Sequence, residues 1–199
     1  SYVASKAKLF YQMSQDGLGI YNAADEGVSQ AVLSSHCKLV PFDATGSFIS
    51  SPSSGMSSRG WFADDSLWIH TTGDEPCSIP VERIKLTGSH NLENVLAAAL
   101  AAQLVGASRE ALEEGFSSFE GLPHRMQLVG EIEGVRYYDD SKGTNVGATV
   151  RAIEGFEKPV VLIAGGISKG ADFGDLVQVV GERVKEAILI GQAAEKMER

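Results

Sequence analysis

Five short runs of this sequence carry residue types suited to a phosphorylated ligand. DDSKGTN at residues 139–145 offers two carboxylates, a lysine and a Thr-Asn pair that can start a helix. Carboxylates such as Asp140 can accept from ribose hydroxyls, and the unsatisfied N–H groups of a helix start favour an anion near Lys142 and Thr144. The same residues also make a capped strand–helix turn with solvated charges, and the residues alone leave both readings open. GGISKG at 165–170 has glycines that let backbone approach a ligand, with Lys169 as a point charge, but it is not a Walker A sequence and is a weak pointer. Asn91 and Asn94 are three apart on one helix face, where their amides could read a base edge; capping and local hydrogen bonding are the plainer account. His124 and Arg125 follow Gly121, Leu122 and Pro123 and are either surface residues or groups that reach a nucleotide held between domains. Lys6 lies four residues after Tyr2 and three before Leu9, on a largely apolar helix face. It is read either as a lysine whose stem snorkels or as a buried lysine of altered chemistry.

The elements that would position these residues follow from periodicity. Residues 2–13 have helical spacing, with Tyr2, Leu9 and Met13 on one face. A short strand at 19–22, a helix at 23–33 and a strand at 38–42 follow, then a serine- and glycine-rich stretch over 43–60 that reads as a surface loop. Residues 61–71 alternate around Asp64 and Asp65 as a hairpin does, and another strand is expected near 78–86. Ser89 is expected to cap an alanine-rich helix over 90–105, with a second helix over 108–119. The periodicity resets at residues 121–125, where glycine permits and proline stiffens, so the domain boundary is placed there: 1–120 and 121–199. Beyond it, strands at 135–139, 160–164 and 187–190 alternate with helices at 145–155 and 172–183, the pattern of a parallel, right-handed, Rossmann-like sheet. The fold class is α/β.

Composition narrows the partners. The 199 residues carry 26 acidic and 17 basic side chains, a net charge of −9, with no basic block to meet nucleic acid or an anionic membrane. Cys37 and Cys77 form neither a CxxC pair nor a disulfide framework and fit a reducing, cytoplasmic setting. The longest apolar stretch, residues 95–107, is too short for a bilayer. The sequence opens in what reads as mid-helix and stops as another helix begins, so both ends are expected to be cut.

Together YVASK (2–6), GSHNLEN (88–94), GLPHR (121–125), DSKGTN (140–145) and GGISK (165–169) resemble the Mur ligases, in family order over nearly the whole chain. The resemblance is strongest to the branch that adds D-glutamate, for which the Asp-Ser-Lys run is the specific element. It implies the later half of a central ATPase domain followed by a Rossmann-like C-terminal domain. It also implies an ATP-dependent amide ligase of bacterial peptidoglycan synthesis. ATP would phosphorylate the alanine carboxylate of UDP-N-acetylmuramoyl-L-alanine, the D-glutamate amine would attack the acyl phosphate, and Mg²⁺ would neutralise phosphate charge. By this resemblance Lys6 is carried as a CO₂-derived carbamate near Mg²⁺. Asn91 and Asn94 lie near the adenine, Asp140 at the ribose, and His124 and Arg125 beside the nucleotide, the arginine facing phosphate. Lys142, Thr144 and Lys169 receive D-glutamate and the reacting phosphoryl group. The partners implied are these small molecules, with no nucleic acid or membrane, and a monomer.

The sequence departs from the family at several points. It holds no glycine-rich P-loop, Ile167 stands where an acidic residue is common, and Ala24 stands where a second aspartate is frequent. The 199-residue chain is therefore expected neither to ligate nor to hydrolyse ATP alone. Two rivals stay open: a sister Mur ligase or folylpolyglutamate synthase adding another amino acid, and a non-catalytic nucleotide-binding module.

Overall fold

The computed structural model describes residues 2–47, 57–86, 88–167, 170 and 172–198. The chain divides into two compact units, Ser1–Phe119 and Glu120–Arg199.

In the first unit a five-stranded sheet runs in the order β1-β2-β3-β4-β5. These strands are Leu18–Asn22, Lys38–Asp43, Arg59–Ala63, Ser66–His70 and Cys77–Pro80. The first three are parallel and the last two antiparallel. The reversal between β3 and β4 comes from Asp64 and Asp65, both left-handed at φ 49° and 51°, a conformation that aspartate tolerates in a two-residue hairpin turn. Trp61 and Trp68 face each other across that hairpin and stack with ring centroids 5.9 Å apart. The core is built where Val40, Phe42, Leu67, Ile69 and Ile79 meet Val95, Leu96, Ala99 and Leu100 of helix α3 (Ser89–Leu104). Gly60 lets that helix approach: a Cβ there would lie 2.9 Å from Leu96 Cδ1. Helix α4 (Arg109–Ser118) adds Leu112 to this core.

Two expectations for this unit are corrected. Ser89 does not cap α3; Gly88 occupies the cap at φ 96°, with no side-chain capping bond, and its carbonyl accepts from Asn91 and Leu92. In helix α1 (Tyr2–Tyr11) the inward residue is Ala7, while Leu9 is 67% exposed and Lys6 is exposed. Phe10 explains the difference: its ring packs over Gly19 beside Cys37, so the helix turns Ala7 and Phe10 inward and Lys6 outward. Lys6 is therefore not buried on an apolar face. The loop expected over 43–60 lies partly outside the described residues.

In the second unit, strands β6 (Gln127–Ile132) and β7 (Val135–Asp139) form an antiparallel hairpin closed by Glu133 and Gly134, both at positive φ. Strands β8 (Val160–Gly165) and β9 (Val184–Ile190) pair in parallel. Ile153 of helix α5 (Val146–Glu154) packs with Leu176 and Val179 of helix α6 (Gly174–Arg183), and Val160 and Leu162 of β8 pack against this cluster. A last helix, α7, spans Ala194–Glu198. Strand β6 is absent from the sequence reading, and β7 pairs with it antiparallel. The register shift between Leu128 and Gly130, with exposure along all of β6, removes the alternation that would have revealed the strand. The α/β class stands, with parallel strands in each unit. Among the described residues, no helix is long and apolar enough to cross a membrane.

Candidate functional site

The densest group of candidate residues lies where β7 ends and α5 begins. Asn145 caps α5 by accepting from Ala148 N at 2.9 Å. The N–H groups of Val146 and Gly147 belong to the first-turn set that a helix cannot satisfy internally. The loop before them is tightly wound: Gly143 N donates to Asp140 O at 2.8 Å, and Thr144 N donates to Lys142 O at 2.9 Å. Gly143 lets the loop close on Asp140: a Cβ there would sit 2.6 Å from Asp140 Oδ2 and 3.1 Å from its carbonyl, so the carboxylate would have to shift. Lys142, Thr144 and Asn145 are exposed around this helix start, an arrangement that favours an anion through both the amides and the lysine charge.

The segment 122–126 is tied to that loop. Met126 N donates to Asp140 Oδ1 at 3.1 Å, and Lys142 N donates to the His124 carbonyl at 3.0 Å. His124 and Met126 both hold left-handed backbone, at φ 64° and 46°, which costs about 1 kcal/mol per non-glycine residue and persists only where neighbours fix it. Those neighbours include Gln127, whose Oε1 accepts from His124 N at 3.0 Å, and Asp139, whose Oδ2 lies 2.7 Å from His124 Nδ1. The His124 hydrogen bond, joined by the Ser141 amide, holds the Asp139 carboxyl below the usual range, at about 2. Arg125 is exposed beside them, its N–H bonded to Leu122 O at 3.2 Å.

The structure thus brings His124, Arg125, Asp140, Lys142 and Thr144 together in the second unit. Sequence reasoning counted Asp139 among the carboxylates of the loop but gave it no role of its own, and it missed Gln127. The adjacent carboxylates at 139–140 were the available signal for Asp139; Gln127 gave none. Lys169 lies outside the described residues. The glycines before it have a packing role: a Cβ at Gly165 would run into Ile190 O, and Gly166 N donates to the same carbonyl at 3.2 Å.

In the first unit, Asn91 is half-buried and Asn94 exposed on the first turns of α3. Between them and the cap lies His90, whose Nδ1 is buried without a hydrogen-bond partner. Lys6 sits on α1 of the same unit. Among the described residues, no group of three or more His, Cys, Asp or Glu could hold a metal ion.

Residues 1–102 match the Mur ligase middle domain, and residues 124–199 match the domain described as Mur ligase, glutamate ligase domain. The chain is 39% identical over 197 residues to the UDP-N-acetylmuramoylalanine–D-glutamate ligase of Syntrophotalea carbinolica. It is 38% identical over 200 residues to the protein of the same name in Geobacillus kaustophilus. In both cases 99–100% of this chain is aligned with 42% of the relative, so the chain spans less than half the length of these proteins. Among solved structures, the bifunctional folylpolyglutamate synthase/dihydrofolate synthase of Yersinia pestis superposes with a TM-score of 0.65 at 16% identity, over 98% of this chain and 44% of that one. MurF from Acinetobacter baumannii superposes with a TM-score of 0.64 at 17% identity, over 97% and 43%. At such identities the superpositions speak for the fold alone. The two domain matches cover most of each unit, the loop between β7 and α5 included, and on them the chain belongs to the Mur ligase family.

Proposed function

We propose that a full-length protein carrying this chain joins D-glutamate to UDP-N-acetylmuramoyl-L-alanine in the cytoplasm, with ATP consumed through an acyl phosphate. The observation that carries this reading is the whole-chain likeness, at 39% and 38% identity, to proteins named for that ligation. The geometry between β7 and α5 supports it. An anion at the start of α5 would meet first-turn amides, with the Lys142 ammonium beside them. Asp140 keeps Oδ1 on Met126 N, and its Oδ2 is the acceptor for a ribose hydroxyl. Arg125, on the segment tied to this loop, faces phosphate, and His124 lies beside the nucleotide. Thr144 and Lys142, with Lys169 of the following loop, receive the incoming amino acid and the reacting phosphoryl group. The amides of Asn91 and Asn94 read the base. The second unit's groups suit phosphate, a ribose hydroxyl and a carboxylate, and the Asn91 and Asn94 amides of the first unit suit a base edge.

Lys6, carried as a carbamate, would supply oxygen donors to Mg²⁺, but the described residues form no acidic cluster around a metal. They do not build a magnesium cage. Among the described residues, the charge available to a developing phosphoryl transition state comes from Arg125 and Lys142, with Lys169 joining them by its motif.

The test is phosphate release by the full-length protein with UDP-N-acetylmuramoyl-L-alanine, ATP and a panel of amino acids. Release that requires both the nucleotide substrate and D-glutamate is expected. Equal release with L-lysine, L-glutamate or diaminopimelate would overturn the specificity, and release with no amino acid at all would overturn the ligation.

A further inference from the structure

Asp139 stands one residue before the aspartate assigned to the ribose, and neither its exposure nor its place in the turn requires a charge there. Its carboxylate nevertheless makes two bonds of different kinds. Oδ1 accepts from Ser141 N at 2.9 Å, which shapes the turn. Oδ2 reaches back to His124 Nδ1 at 2.7 Å. An ionised carboxylate has lone pairs and no proton, so a contact this short requires the hydrogen on the imidazole nitrogen. Neutral His124 is then the Nδ1–H tautomer, with its lone pair on Nε2. The main chain that carries the ring is fixed beside Asp139, the His124 amide by Gln127 Oε1 and its carbonyl by Lys142 N.

We propose that Asp139 is a positioning residue: it keeps the His124 proton on Nδ1 and so presents Nε2 outward as a hydrogen-bond acceptor. The histidine side chain is 55% exposed and the aspartate 31%. At that exposure an ion pair adds little to stability, so the function of the pair is orientation of the ring. On the reading proposed above, the group that meets Nε2 is a donor on the nucleotide, the adenine amino group or a ribose hydroxyl. A histidine in the other tautomer would offer such a donor a second N–H and repel it.

The experiment uses full-length protein labelled with ¹⁵N at histidine, with the His124 signals assigned by their loss in His124→Gln. Long-range ¹H–¹⁵N correlation above the titration of the ring should show a protonated Nδ1 and a bare Nε2. In Asp139→Ala the Nε2–H form should take over, and in Asp139→Asn, whose Oδ1 stays on Ser141 N, the amide NH₂ turned toward Nδ1 should favour the Nε2–H form as well. The thermal midpoint should fall only slightly in the variants, since both side chains of the pair are solvent-accessible. A wild-type Nε2–H tautomer, or a tautomer indifferent to Asp139→Ala, would overturn the proposal. Kinetics then test the consequence for the nucleotide: Asp139→Ala should raise KM for ATP about tenfold, the scale on which partners that orient a functional histidine are felt, with kcat changed far less. An unchanged KM would overturn it. The part that rests on the ligase reading is separable, because absence of ligation in the wild-type protein would remove that reading and leave the tautomer measurement to decide the role of Asp139.

Discussion

Replacing Asp140 separates what this carboxylate does for the loop from what it does for a ligand. Its Oδ1 accepts the Met126 amide at 3.1 Å in a partly buried setting, and Met126 is held at φ 46°. A backbone N–H bonded to a charged group contributes roughly 1.5–3 kcal/mol when buried, and partial exposure places this one near the lower figure. A left-handed non-glycine residue costs about 1 kcal/mol or more, so the bond is of the size needed to hold Met126 in place. Loss of about 1.5 kcal/mol corresponds to about a tenfold change in an opening equilibrium. In Asp140→Ala, hydrogen exchange at the Met126 amide should therefore accelerate about tenfold relative to wild type. Asp140→Asn keeps an acceptor at Oδ1 and should exchange like wild type. Because the same residue is assigned to the ribose, both variants should raise KM for ATP in the full-length protein, alanine more than asparagine. Wild-type exchange at Met126 in Asp140→Ala would refute the argument that this bond ties the 122–126 segment to the loop. Equal acceleration in the asparagine variant would show that charge, and not the acceptor position, is what holds it.

Three further outcomes are expected. Leu96 is fully buried against Gly60 and the β-sheet, so Leu96→Ala should destabilise the first unit by about 3 kcal/mol; a denaturant-unfolding loss below about 1 kcal/mol would contradict that packing. The Asp139 carboxyl lies at about 2 in the folded protein, below its unfolded value near 4. Its contribution should therefore be complete above about pH 4 and fade as pH falls through about 2, and a carboxyl ¹³C titration placing its midpoint at about 4 would contradict the bond to His124. Lys6→Ala in the full-length protein should lower ligation by about a hundredfold, with no recovery on adding bicarbonate; near-normal turnover would refute the carbamate role.

The first unit was largely legible because its elements carry strong, separate signals. Alternation around Asp64 and Asp65 marked a hairpin, and the alanine-rich run over 95–104 marked α3. The second unit was legible in β8, β9 and their helices, where alternation follows one packed face: Val160 and Leu162 sit against α5 and α6, while Val161 and Ile163 are exposed. Strand β6 was not legible, since a strand exposed throughout and interrupted by a bulge leaves no periodic trace. Lys6 was misplaced for a different reason. Spacing fixes which residues share a helix face but not which face turns inward, and the contact between Phe10 and Gly19 decides that only in three dimensions. Site residues were found as types in order along the chain. Their bonds were not, because the links from Met126 to Asp140 and from His124 to Asp139 span 14 and 15 residues.

Those long-range bonds change how the 121–125 segment has to be understood. Glycine and proline made it look like a joint, yet its last residues are held on three sides: His124 by Gln127 and Asp139, its carbonyl by Lys142, and Met126 by Asp140. Left-handed backbone at both His124 and Met126 is tolerated because these bonds fix it. His124 and Arg125 therefore belong to the same rigid piece as Asp140, Lys142 and the start of α5. The chain's contacts divide earlier, between Phe119 and Glu120, and any freedom in this stretch belongs near Gly121, at φ 99°, and not at the histidine. It follows that the backbone at Arg125 and at Lys142 is set, one relative to the other, by the second unit's own hydrogen bonds. Preorganisation of that kind is what charge stabilisation in a transition state requires, and it makes removal of a tether acceptor, as in Asp140→Ala, a perturbation of the cations that the loop carries.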